Sequence, residues 1–138
     1  MIEPWEEVVN HKIIGNLTIA DRDYYEIDAD GNKKTKFTWD EAMEIEKKTN
    51  GKWRVPTPKE LTLMAYQLGF NSESVFDGEL FAKNLGIIGR FKEDGYCRYW
   101  SSRVGGANGS YSLVFGSSYL NPQLNYSKGY GFAVRCVA

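Results

Sequence analysis

Not one aspartate or glutamate follows Asp94, although 18 acidic residues precede it or stand at it. A C-terminal third without carboxylates cannot build an oxygen cage of its own for a hard cation such as calcium. Histidine is nearly absent. The single one, His11, falls in the N-terminal tail, so Ser-His-Asp chemistry would have to reach back to it, and no nucleophile-elbow motif accompanies it. Only two cysteines occur, Cys97 and Cys136, which allow one disulfide without demanding it. No apolar run approaches the ~18–20 residues of a membrane span. The start, MIEPWEEVVN, has neither a basic nor an apolar leader region. No signal peptide or transmembrane segment is therefore expected, location is left open, and the missing leader favours free thiols.

What remains is ordinary in bulk and unusual in distribution. At 138 residues with 42% hydrophobic and 25% charged content, a single domain over residues 1–138 is expected. Up to Asp94 there are 13 Lys/Arg against 18 Asp/Glu, whereas from Gly95 onward there are four basic residues and no acidic one. Four scattered cations are too few for a phosphate backbone, so no nucleic-acid partner is expected. From Tyr96 to Ala138 the chain holds six Tyr, seven Ser, six Gly and three Asn. That mix suits a recognition surface, with Tyr supplying contact area and the small polar residues supplying adaptable hydrogen bonds. It also suits a plain antiparallel sheet with Ser/Gly turns. Residues 1–95 read as scaffold and 96–138 as the binding region.

Local signals divide the scaffold. Ile13–Ala20 is fit for one strand, and Tyr24–Asp28 and Lys33–Phe37 for two strands joined through Asp30-Gly31. Asp28, Asp30 and Asn32 have calcium-loop spacing but lack the closing Glu. Thr38 with Glu41, and Thr57 with Glu60, are capping boxes that open two helices, the second with Pro58 at its first position. Asn50-Gly51 should stop the first in left-handed geometry, and Gly69 should end the second. Ser72–Asn84 reads as a short helix plus loop. Leu85–Phe91, Tyr96–Ser101, Ser110–Phe115, Tyr119–Leu120 and Gly131–Val137 read as strands, with a hairpin at Glu93-Asp94-Gly95. Gly105–Gly109 and Asn121–Gly129 read as loops. The result is an α+β domain with two helices packed on antiparallel sheets. Trp39, Trp53, Trp100 and Phe132 read as core, and Arg135 as a structural cation paired with a scaffold acid or main-chain carbonyls.

Three motifs in order carry a resemblance. Thr38-Trp39-Asp40-Glu41-Ala42 is followed by Gly51-Lys52-Trp53-Arg54-Val55-Pro56-Thr57-Pro58-Lys59-Glu60-Leu61, then by Tyr99-Trp100-Ser101-Ser102 and Gly131-Phe132-Ala133-Val134-Arg135-Cys136-Val137. Together they resemble the formylglycine-generating-enzyme-like branch of the C-type lectin fold. The tail further resembles the variable proteins of diversity-generating retroelements, and the lysine-rich scaffold resembles their archaeal members. In that group mutated adenines diversify Asn-type codons, which can become Tyr, Ser, Gly, Asn, Asp, Arg, Val, Leu and others but not Lys, Glu, Gln, Met or Trp, so the absence of Asp from the tail is a slight departure from the pattern. Lys128, Gln123 and Trp100 would then be fixed.

The resemblance implies a non-enzymatic, receptor-type protein with a diversified binding face. It takes no cofactor or metal, does not insert in a membrane, and acts as a monomer on an unknown protein or surface ligand. The expected contact set is Ser102, Arg103, Val104, Ser110, Ser112, Val114, Ser117, Tyr119, Leu124, Asn125, Ser127 and Gly129, several of which alternate by two as one strand face requires. Two alternatives stand beside it. One is a fixed adhesive or structural surface domain of the same fold. The other is a formylglycine-generating-type oxidase, which would need Cys97 and Cys136 close and accessible. Asn121-Pro122-Gln123 has the proline and amides of a lectin calcium site but no acid, so no calcium is expected there.

Overall fold

A computed structural model describes residues 1–87, 96–104, 109–116 and 119–138. The chain is mixed α+β with antiparallel sheets. After a short N-terminal helix α1 (Trp5–Val8), β1 (His11–Ile14) and β2 (Leu17–Ala20) form a hairpin. The apolar run expected as one strand is thus folded back on itself, because Gly15 takes a φ of 59° and reverses the chain there. His11 is a β1 residue opposite Ala20, not part of a loose tail, and its ring stacks on Trp53 at 5.3 Å.

β3 (Glu26–Ile27) and β4 (Lys33–Lys34) pair across the Asp-Gly turn. The Asp28 carboxylate there accepts from the amides of Asp30 and Asn32. The spacing that hinted at calcium is that of a side-chain-closed turn. Both capping boxes form as expected, at Thr38/Glu41 and Thr57/Glu60. The first helix is interrupted at Glu44 into α2 (Trp39–Met43) and α3 (Ile45–Lys48), and Asn50 and Gly51 end it at φ 55° and 80°.

The second helix is α4 (Pro58–Gly69), burying Leu61, Met64, Ala65 and Leu68. Each large side chain of that stripe contributes roughly 1.5–3 kcal/mol of burial. Gly69 is the last residue of α4, as expected, and it also serves close packing: a Cβ there would lie 2.5 Å from Leu120 Cδ2. Asp77 caps α5 (Gly78–Leu85). Leu85 is the last residue of that helix, not the first of a strand, and the rest of the strand expected over 85–91, with the Glu93-Asp94-Gly95 turn, lies largely outside the described residues.

β5 (Tyr96–Val104), β6 (Gly109–Gly116) and β7 (Tyr119–Ser127) form an antiparallel sheet in that order. β7 corrects the expected loop over 121–129. Pro122 is tolerated in this strand because, among the described residues, β7 pairs only with β6, so its outer edge needs no donor. One sheet face, with Cys97, Tyr99, Leu113 and Phe115, packs with α4 and α5. Trp100 belongs to a second core with Phe37, Ile45, Trp53, Phe132 and Val134.

The C-terminal segment ties the two halves together. Trp100 N donates to Ala133 O, alongside a parallel bridge between Tyr99 and Ala133. On the other side Ala20 N donates to Cys136 O and Ile19 bridges Val137 antiparallel. The expected neighbourhood of Ile13–Ile19 and Phe132–Val137 is present, through single bridges rather than a continuous strand. Arg135 is fully buried. Its Nε donates to Asp23 Oδ1 at 2.8 Å, and its two terminal nitrogens donate to the carbonyls of Ala20 and Leu85. Tyr99 Oη donates to the same Asp23 oxygen at 2.6 Å.

Candidate functional site

The β5-β6-β7 sheet is irregular at one end. Between the pairs Trp100↔Ser112 and Val104↔Ser110, β5 advances four residues while β6 advances two. Between Ser112↔Leu124 and Val114↔Asn121, β7 advances three while β6 advances two. Each surplus makes a bulge, which bends the strand and re-aims its side chains. The two bulges flank the same stretch of β6.

The outward residues gather around this end. Arg103 and Val104 are exposed at the end of β5, and Asn125 and Ser127 are exposed on β7. Ser102 and Leu124 are half-buried, and Gly129 is exposed in the turn beyond β7. The Arg103 guanidinium lies 5.4 Å from the centre of the Tyr111 ring, and Tyr111 is paired in register with Asn125. One row therefore takes a residue from each strand. Tyr119 is placed by its backbone opposite Gly116, and Ser117 lies outside the described residues.

Three expected contact residues are not on the surface. Ser110 and Ser112 are 0% exposed and Val114 is 3% exposed. Their alternation by two was read correctly as one strand face, but it is the inward face: Ser112 stands opposite Trp100 and Val114 opposite Arg98. The two serines have a specific task there. Ser110 Oγ donates to the carbonyl of Arg103 and reaches that of Ser101 at 3.5 Å, and Ser112 Oγ donates to the carbonyl of Leu124 at 3.3 Å. These carbonyls sit where the ladder is broken, so the hydroxyls replace lost strand partners.

Trp39, expected as core, packs against the second core and in addition makes a link that the sequence does not reveal. It is half-buried at the start of α2, and its indole Nε1 donates to Ser101 O at 2.9 Å. Its amide donates to Lys128 O, and the Lys128 ammonium lies 4.4 Å from the ring centre. One side chain thus joins the β5 bulge to the turn after β7. The Thr38/Glu41 box before it, which fixes where α2 begins, was the available signal. Ser102 N donates to Pro56 O at 2.8 Å, which anchors the bulge from the other side.

An open cleft of about 300 Å³ runs beside Ser102, with Met43, Glu46, Arg54 and Thr57 on its walls. Arg54 is already occupied: its terminal nitrogens donate to both Glu60 oxygens at 2.6 and 2.7 Å. That pairing holds the Glu60 carboxyl below its ordinary range, with burial opposing and the Thr57 amide assisting. At Arg54 the cleft therefore presents a neutralised pair, and the exposed Glu46 on its wall adds a carboxylate whose field also acts on Arg54.

A second cluster lies on the Trp100 side of the sheet. The Arg98 guanidinium is 5.8, 5.6 and 5.7 Å from the ring centres of Tyr96, Tyr126 and Phe132. Tyr130 stacks on Phe132 at 6.0 Å. Cys97 and Cys136 are both buried and not joined in a disulfide, and burial pushes the Cys136 thiol well up from its ordinary value. Among the described residues no group of three or more His, Cys, Asp or Glu side chains is placed to hold a metal, and no helix is long and apolar enough to cross a membrane.

Fold and site together define an α+β protein whose antiparallel sheet presents a bulged, polar and aromatic end over a conventional core. No protein-family model and no curated protein matches the chain.

Proposed function

We propose that this chain is a non-enzymatic binding protein of C-type lectin-like fold, which displays an adaptable surface to a protein or surface ligand and whose exposed positions are diversified by a retroelement. The observation that carries this reading is a division of labour at the bulged end. Arg103, Val104, Asn125 and Ser127 project outward, while Ser110, Ser112 and Trp39 hold the backbone beneath them. Side chains outside can change while the hydrogen bonds below stay the same. The fold assignment is supported by the C-terminal segment running between the N-terminal hairpin and β5, which brings the two ends of the chain side by side.

Burial of both thiols speaks against the oxidase alternative, because thiolate chemistry needs an exposed, electropositive setting. Burial of Ser110, Ser112 and Val114 favours the other alternative, a fixed adhesive domain, since three positions reachable by diversification are closed to contact.

Sequencing the locus decides between them. A near-copy of the coding DNA for residues 96–138, beside a reverse transcriptase and differing at adenines, is expected. Its differences should fall on Arg103, Val104, Asn125 and Ser127 and spare Ser110 and Ser112. A locus without such a repeat, with identical tails among sister copies, leaves the fixed domain.

A further inference from the structure

Arg98 differs from the ion-paired cations of the scaffold and sheet, and also from Arg103 and Lys128, which each lie over a single ring, in having a buried donor with no acceptor among the described residues. Arg54 has Glu60, Arg135 has Asp23, Lys48 has Glu26 and Lys34 has Glu41. Among the described residues Arg98 has no carboxylate, and its side chain makes no hydrogen bond. Its Nε is buried with no acceptor. Aromatic faces alone hold it, those of Tyr96, Tyr126 and Phe132. The Nε itself is closed to a partner, but the side chain as a whole is only half-buried, so an incoming carboxylate meets the terminal nitrogens of a guanidinium whose charge is otherwise poorly matched.

The surroundings describe that acceptor. Tyr96, beside the cation, is 48% exposed, and Tyr130, against Tyr126 and Phe132, is 56% exposed, so amphipathic rings stand open around the cluster. No acidic residue occurs in the sequence after Asp94, so the whole tail offers positive or neutral chemistry. Arginine flanked by tyrosines is the composition of a protein-binding hot spot, where a guanidinium already oriented on rings loses little freedom when it engages a carboxylate.

We infer that Arg98, on its bed of Tyr96, Tyr126 and Phe132 with Tyr130 stacked behind Phe132, is the anchor of a protein-recognition patch that receives an aspartate or glutamate carboxylate from an acidic partner segment. This deepens the binding reading above and rests on it. It places the anchor on an arginine outside the outward set of Arg103, Val104, Asn125 and Ser127. A constant anchor with adaptable neighbours would let one class of acidic partner be held while its detail varies.

The test is a side-chain NMR titration of the full chain. The probes are an acetylated, amidated peptide of alternating glutamate and glycine, its glutamine counterpart, and inorganic phosphate. The glutamate peptide is expected to shift the Arg98 Nε–H resonance saturably, and the glutamine peptide is not. Arg98→Gln should weaken the glutamate peptide by about tenfold or more, the scale of one lost charge-assisted hydrogen bond. Arg98→Lys should give only partial rescue, because a lysine lacks the planar fork. Thermal melts of both variants verify the fold.

Four results overturn the inference, the last of them leaving the binding face intact. One is equal movement of Arg98, Arg103 and Lys128, which marks diffuse attraction. The second is phosphate binding more tightly than the glutamate peptide, which makes the patch a phosphate site. The third is unaltered affinity in Arg98→Gln. If the peptide moves Arg103 and Asn125 but not Arg98, the anchor fails while the binding face stands. The locus result tests diversification without reference to Arg98.

Discussion

The hydroxyl of Ser110 donates to the main-chain carbonyl of Arg103, so a buried serine on one strand holds in place the backbone of an exposed arginine on the next. The bulge that points Arg103 outward removes a ladder partner from its own carbonyl, and Ser110 restores it. The same arrangement recurs between Ser112 and the carbonyl of Leu124. Ser110→Ala and Ser112→Ala should each cost about 1–3 kcal/mol, the scale of a buried acceptor left unmatched. Urea unfolding measures it. Two variants as stable as the parent would show that these carbonyls do not depend on the hydroxyls.

The outward side chains should behave oppositely. Arg103→Ser, Val104→Ser and Asn125→Ser combined should cost no more than about 1 kcal/mol, most of it from the exposed contact of Arg103 with Tyr111. Trp100→Ala should cost about 3–5 kcal/mol, since Trp100 is fully buried against Phe132 at 4.3 Å and donates its indole N–H to Phe37 O. Thermal melts of the two variants compare them directly. An unfolded triple variant beside an unaffected Trp100→Ala would reverse the assignment of inside and outside.

Removal of the Asp23 carboxylate leaves the Arg135 cation buried without its counter-charge. The Arg135 side chain is 1% exposed and that of Asp23 is 10% exposed, so water cannot take the place of the carboxylate. Asp23→Ala should therefore destabilise by about 3–5 kcal/mol. A loss as small as that of an exposed ion pair would mean that the Ala20 and Leu85 carbonyls suffice for Arg135.

The Arg54–Glu60 pair predicts an acid-side loss of stability. Arg54 lowers the folded-state Glu60 pKa below its unfolded value of about 4.3. Its contribution is complete above that value and is lost as pH falls through the depressed folded value. Glu60→Gln keeps a side-chain acceptor for the Thr57 amide but removes the charge. Between about pH 5 and pH 3 the parent should lose stability faster than this variant. Identical slopes in denaturant midpoint against pH would remove Glu60 from the acid response.

Buried Cys97 and Cys136 should react slowly with iodoacetamide at mildly alkaline pH and rapidly after unfolding. Mass spectrometry of the native protein follows it. Fast modification of both native thiols would reopen the redox alternative.

The parts legible in the sequence are those set by near neighbours. Thr38 with Glu41 and Thr57 with Glu60 lie within one helical turn, so the caps could be read from spacing alone. The buried stripe of α4 follows from its period for the same reason. The break at Glu44 and the turn at Gly15 were less visible, because a capped or apolar run gives no sign of where tertiary packing will divide it.

By itself, then, the sequence determined the α+β class, the two capping boxes, the core placement of Trp100 and Phe132, the structural pairing of Arg135, and a tail rich in Tyr, Ser and Gly without acids. Only the tertiary structure decided which side of the last sheet faces water. A two-residue period says that Ser110, Ser112 and Val114 share a face, but both faces of this sheet are partly covered, one with α4 and α5 and the other around Trp100 and Phe132. The bulges at Trp100/Val104 and Ser112/Val114 then shift the register beside those residues. Exposure was settled by packing between distant segments, through contacts such as Trp39 to Ser101 and Trp100 to Ala133.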